Sequence, residues 1–206
     1  LYRPHVIGKN IALHLNNATY DGLSYTPGLL TLFDVQGASE APIPYQFKLP
    51  ALYSDVSPFE LLNKTNRYKI SADEPILELD LTDINREKTL AFSKQALKYT
   101  LNTSLFQNVR LKNFIINSFT PFGNITLNSF YERFADGSFV IQIVTDQYSS
   151  EFVASADGYY FTPHNWNIKA SIPQLRLNLE NYGLQRGAAS LSMKRHKESS
   201  HTDGTI

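Results

Sequence analysis

The 206 residues are 42% hydrophobic, 13% aromatic and 18% charged, which places the chain among globular, β-leaning proteins and outside the charged, aromatic-poor disordered class. Nineteen Lys and Arg balance nineteen Asp and Glu, so no global field draws a polyanion and no specific nucleic-acid binding is expected. Without cysteine, disulfides, thiolate chemistry and cysteine-ligated metals are excluded, and stability has to come from packing.

The chain opens at Leu1 with no basic-then-apolar leader, and no apolar run approaches the ~18 residues of a helical membrane span, so a trimmed start and no such span are expected. "NIALHL" alternates Ile11, Leu13 and Leu15 with other residues and predicts a strand. "GLLTLFDV" and "YQFKL" predict two more, and Pro42, Pro44 and Pro50 confine the second to an edge or an irregular crossing. "SPFELLNK" offers one helical turn capped by Ser57, with Pro58 at the first helical position, where its missing N–H costs nothing. "PILELDL" buries Leu77, Leu79 and Leu81 and turns Glu78 and Asp80 outward. The period then changes. Leu90, Leu97 and Leu101 fall on one side of a helix over about residues 83–101, with Thr82 or Asp83 as N-cap. "NVRLKNFIINSF" returns to the strand habit through Val109, Leu111, Asn113 and Ile115.

Past residue 124 the alternation is regular. Ile125 and Leu127 share a face, and after Asp136-Gly137 so do Phe139, Ile141 and Ile143. The opposite side of that second run, Val140 and Val144, is also apolar, which predicts a central strand covered on both faces. Asp136-Gly137 and Asp157-Gly158 both read as hairpin corners, where Gly supplies positive φ at no steric cost. "NWNIKASI" and "LRLNLENYG" predict two half-wet strands with a turn at Pro173 between them. The expected fold is mainly β, a β-rich α+β domain over residues 1–185. Its antiparallel meander forms a barrel or sandwich with the one helix packed against it. Residues 186–206, ending in "MKRHKESSHTDGTI", lack an apolar period and are expected as a flexible tail.

Chemical motifs are sparse. Glu78 and Asp80 emerge on one strand face roughly 6.5–7 Å apart, a spacing that suits acid/base hydrolysis, yet an alternating Leu/acid strand needs no catalysis to explain it. Asp73, Glu74, Asp80, Asp83 and Glu87 form the densest acidic stretch but lack a calcium-loop pattern. His5, His14, His164, His196 and His201 show no metal-pair spacing, and no nucleophile-elbow, phosphate-loop or dinucleotide fingerprint occurs. No catalytic residue, cofactor or metal is therefore assigned, and an enzyme is disfavoured. Tyr159, Phe161 and Trp166 cluster near one turn and are the candidate ligand contacts. The sequons at Asn17, Asn63, Asn102 and Asn124 mark candidate glycosylation sites, consistent with an extracytoplasmic location.

Three functions compete. The first expectation is a non-enzymatic surface or structural protein acting through protein or glycan contacts, with assembly into an oligomer open to it, in keeping with twelve tyrosines and sixteen asparagines. The second is a carrier of a small apolar ligand in a β-barrel or sheet–helix cavity, which an interior space of several hundred cubic ångströms would favour over a filled one. The third is a hydrolase, which requires Glu78, Asp80 or His164 to converge with another ionisable group in one cleft.

Overall fold

A computed structural model describes residues 2–58, 68–92, 106–121, 123–147, 150–162, 165–179, 183–195 and 204–205. The protein is mostly β, as the composition and alternation predict, and two helices occur among the described residues. Helix α1 (Tyr2–His14) precedes β1 (Gly22–Thr26), β2 (Gly28–Ser39), β3 (Tyr45–Val56), β4 (Tyr68–Asp73) and β5 (Ile76–Asp80). A second helix, α2, is described over residues 86–92. There follow β6 (Phe106–Thr120), β7 (Gly123–Arg133), β8 (Ser138–Gln147), β9 (Ser150–Thr162), β10 (Asn165–Leu179), β11 (Gly183–Arg195) and β12 (Gly204–Thr205).

All twelve strands belong to one sheet. Its order follows the chain from β1 to β12, except that β4 and β5 lie end to end between β3 and β6. Neighbours pair antiparallel, save that β4 and β5 run parallel to β6. A parallel step needs a crossover of a dozen residues or more. Residues 81–105, which contain α2, supply it.

The N-terminal strand expectation is overturned: Ile11, Leu13 and Leu15 lie on and just past α1. Ile7 and Ile11, one helical turn apart, are 8% and 0% exposed, whereas Leu13 is 58% exposed. The helical period won because Ile7, Ile11 and Ala12 form a stripe that packs on Leu30 and Leu32 of β2, which alternation over six residues cannot reveal. Asn16 and Asn17 end the helix with φ of 60° and 55°, and the Asn16 amide donates to the Tyr45 hydroxyl, tying the helix end to β3.

Three further expectations change, and a fourth is decided between its two branches. Pro50 lies inside β3, which is flanked by β2 and by β4–β5, so β3 is not an edge strand but the irregular crossing, with Pro50 and Asp34 lacking register partners. The N-cap of α2 is Asn85, whose side-chain oxygen accepts from the Lys88 amide at 2.8 Å, while Thr82 instead serves Asp80. Pro173 does not turn the chain, because β10 runs through it with register shifts against both neighbours. The sheet also continues beyond residue 186, since β11 pairs with β10 along its length to Arg195. The expected helical turn at residues 57–64 falls largely outside the described residues.

The two Asp-Gly pairs part company. Gly137 has a φ of 82°, and Asp136 accepts from the Ser138 amide and hydroxyl, so this pair does form the β7–β8 corner. Asp157-Gly158 lies inside β9, opposite Lys169 and Ile168. Glycine is needed there for space: a Cβ on Gly158 would collide with the Asn167 carbonyl of β10.

If α1 is helical, Ile11→Ala costs about 2–5 kcal/mol and Leu13→Ala less than about 0.5 kcal/mol in chemical denaturation, because only the first side chain is buried. Equal losses would restore the strand, in which both would share a face.

Candidate functional site: an apolar groove at a sheet crease

A line of backbone irregularities crosses four strands. In β2, Asp34 has a φ of 50° opposite Pro50 of β3, where both lack a register partner, with Phe33–Ala51 and Val35–Leu49 pairing on either side. On its other edge β3 pairs with β4 through Leu52–Asp55 and with β5 through Tyr45–Lys48, so the same point faces the break between those strands. At that break Glu74 has a φ of 54° and Pro75 is fully buried. Next to it in β6, Asn113 has a φ of 49°, and the β6–β7 register shifts between Leu111 and Phe114. Bulges of this kind bend a sheet and switch which residues face each side. Pro50 is tolerated in an internal strand because no ladder bond falls at its position.

Hydrogen bonds fix the crease. The Glu74 amide donates to the Lys112 carbonyl at 3.0 Å, the Ile115 amide to the Pro75 carbonyl at 2.8 Å, and the Asn113 side-chain amide to the Asp73 carboxylate at 2.7 Å. As a result the inward face of β6 carries Val109 and Leu111, then Phe114 and Ile116. Asn113 and Ile115, expected in step with Leu111, drop out of phase.

The apolar residues that the crease aligns enclose a groove of about 370 Å³. Phe47, Leu49 and Leu52 of β3, Ile70 of β4, Leu77 and Leu79 of β5, Val109, Leu111 and Phe114 of β6 and Tyr131 of β7 line it, with Leu15 and Phe92 of α2 at its margins. Phe47, Leu77, Leu79, Val109, Leu111 and Phe114 remain half-buried, so this part of the lining is accessible, whereas Leu49, Leu52 and Ile70 form its floor as members of the closed core that also holds Ile11, Leu30, Leu32 and Val56. Burial of the Tyr131 ring pushes its hydroxyl pKa above the usual range, opposed by the nearby Arg133, so at neutral pH the hydroxyl is protonated and able to donate.

The opposite face is wet and cross-linked by polar rungs. Gln46 donates to Glu78, Thr126 to Asn117 at 3.0 Å, and Arg110 pairs with Glu132 at 3.6 Å across directly opposed positions. Val144, expected under a second layer, is 45% exposed. Strand β8 is central within the sheet, but its outer face is open.

Of the candidate ligand contacts, Tyr159 is half-buried in β9 and faces away from the groove, beside a separate cavity of about 340 Å³ shared with Ser138, Asp157, Asn167 and Lys169. The side chains of Phe161 and Trp166 lie outside the described residues. Asn17 and Asn124 are exposed; Asn63 and Asn102 lie outside the described residues, as does His164. Glu78 and Asp80 border a small cavity of about 170 Å³ with Glu40. There Thr82 holds the Asp80 carboxyl below its usual range through its hydroxyl and its amide, which keeps the group ionised rather than ready to donate a proton. Among the described residues, no group of three or more His, Asp or Glu is arranged to hold a metal. No family model matches the chain, and no characterised protein is detectably similar to it.

Groove residues of β5 and β6, with Phe47 and Leu49 of β3, were visible in the sequence as strand positions, whereas Leu52 and Ile70 fell in no predicted strand; none was visible as a site, because their convergence depends on the backbone irregularities. Non-glycine residues with positive φ carry no signature beyond the modest preference of Asn and Asp.

Gly158→Ala lowers the thermal midpoint by roughly 3–9 °C through the clash with β10, whereas Asp157→Ala, at an exposed position, leaves it nearly unchanged. A loss at Asp157 and none at Gly158 would contradict the steric need for glycine.

Proposed function

We propose that the protein binds a small apolar molecule, or the apolar chain of a larger one, in the crease groove. The single observation that carries this reading is an accessible space of about 370 Å³ whose lining is almost wholly aliphatic and aromatic. That volume lies at the lower end of the roughly 300–1,000 Å³ typical of small-molecule sites, which suits one slender occupant. Among the three functions weighed from sequence, the cavity supports the carrier and moves the emphasis away from outward contacts. It also shifts the ligand contacts from the aromatic cluster near Trp166 to β3–β7.

The energetics are modest. Ten buried methylenes contribute roughly 8 kcal/mol at ~0.8 kcal/mol each. Lost translational and rotational freedom costs at least about 4 kcal/mol, which leaves a binding energy in the millimolar range for the chain alone. A longer chain, or a polar contact at one end, raises this toward useful affinity.

A neutral fluorescent probe such as N-phenyl-1-naphthylamine saturates on titration with the protein. Leu111→Gln or Phe114→Gln weakens that binding by about tenfold, while Lys48→Gln on the opposite face does not change it. Unsaturable binding, or equal effects from all three variants, would contradict the groove as the site.

A further inference from the structure

Arg133 is the last residue of β7 and stands two positions along from Tyr131, so its side chain leaves the sheet on the same face as Tyr131, which lines the groove while Arg133 lies behind it. Register places it between Val109 of β6 and Phe139 of β8. It is only 8% exposed. Among the described residues on the inward face of β2 to β8, the other positions are aliphatic, aromatic, glycine, proline or hydroxyl-bearing, so Arg133 is the one formal charge there. Carboxylates and amides are instead kept on the outer face, as Glu78, Asn117 and Glu132 show.

Burying a guanidinium is costly without company, and Arg133 already has an interaction partner within the protein, so an anion would be a second partner rather than the first. Burial does lower the Arg133 pKa from its ordinary value, with Tyr131 opposing the shift, although the group stays charged at neutral pH. A guanidinium carries five N–H donors in a planar fork, enough to serve a protein partner and an anionic oxygen together. The position is also close to solvent, because β7 ends here and residues 134–136 of the corner that follows are exposed.

We propose that the ligand is an anionic single-chain amphiphile, with its carboxylate or phosphate head held by Arg133 and the Tyr131 hydroxyl and its chain laid along the groove toward Phe47 and Leu77. This rests on the groove reading above and adds the head-group class to it. The contact is the kind of polar anchor that the weak energetics of a bare chain call for.

Isothermal titration of the whole chain with dodecanoate, dodecyl phosphate, dodecanol and dodecyltrimethylammonium tests it, all below their micellar concentrations. One or both anions are expected to bind about tenfold or more tightly than dodecanol, and the cation more weakly. Which anion binds better separates a fatty-acid-like ligand from a phosphate-headed one. Arg133→Met removes the preference while dodecanol affinity is retained. Should that variant not fold, the wild-type Arg133 Nε–H resonance provides the second readout, shifting with the anions and not with dodecanol. Equal affinity for dodecanol and both anions would overturn the head-group assignment and leave the groove standing. Absence of binding by all four would overturn both.

Discussion

The bend that runs through Asp34, Pro50, Glu74–Pro75 and Asn113 is the constraint on which the rest of the structure depends. A regular strand at these positions would keep Asn113 and Ile115 in step with Leu111, and the aliphatic face would break up where the groove now lies. Three non-glycine residues instead accept left-handed backbone, at roughly 1–2 kcal/mol each. The Asn113–Asp73 hydrogen bond, the Glu74–Lys112 backbone bond and the burial of Pro75 offset that strain. Strain concentrated along one line, and supported from both sides, is the pattern expected where a backbone is shaped for a purpose rather than for stability alone.

Two faces with different chemistry follow from that line. Inward residues from β3 to β8 form a surface that is apolar apart from Arg133 and a few hydroxyls, partly closed by α1 and α2, while outward residues are joined by polar rungs across neighbouring strands. The closed core beneath α1 and the half-open groove beside it are built from the same residue types and differ only in what lies above them. Helix α1 fills its end of the sheet by bringing Gly8 close to Leu23 and Leu32, and it ends at Asn16–Asn17, leaving Phe47 half-buried beside the buried Leu49. The apolar surface stays partly open past the end of the helix.

Much of this was legible in the sequence, and what was not has identifiable causes. Strict alternation gave β2, β5, β7 and β8 in nearly their observed places, because period-two burial is a local property. Alternation misled at Ile11, where six residues fit both periods and tertiary contact decided between them. Asp-Gly was informative at Asp136, where the chain needs a corner, and misleading at Asp157, where glycine answers to the approach of another strand. Pro50 and Pro173 looked like limits to strands because what accommodates them, a gap in the ladder opposite Asp34 and a register shift against β11, is set by partners not adjacent in sequence. The same dependence hid the groove: no single segment contains it, and the aromatic cluster around Trp166 drew attention to the other end of the sheet.

The most direct measurement of the central claim is a methyl-detected NMR titration of Leu- and Ile-labelled protein with a neutral twelve-carbon chain. The account predicts saturable shifts at Leu49, Leu77, Leu79 and Leu111, with Ile7 and Ile11 beneath α1 unmoved. Shifts confined to Leu13 and Leu191, or spread evenly over the molecule, would contradict a groove formed at the crease.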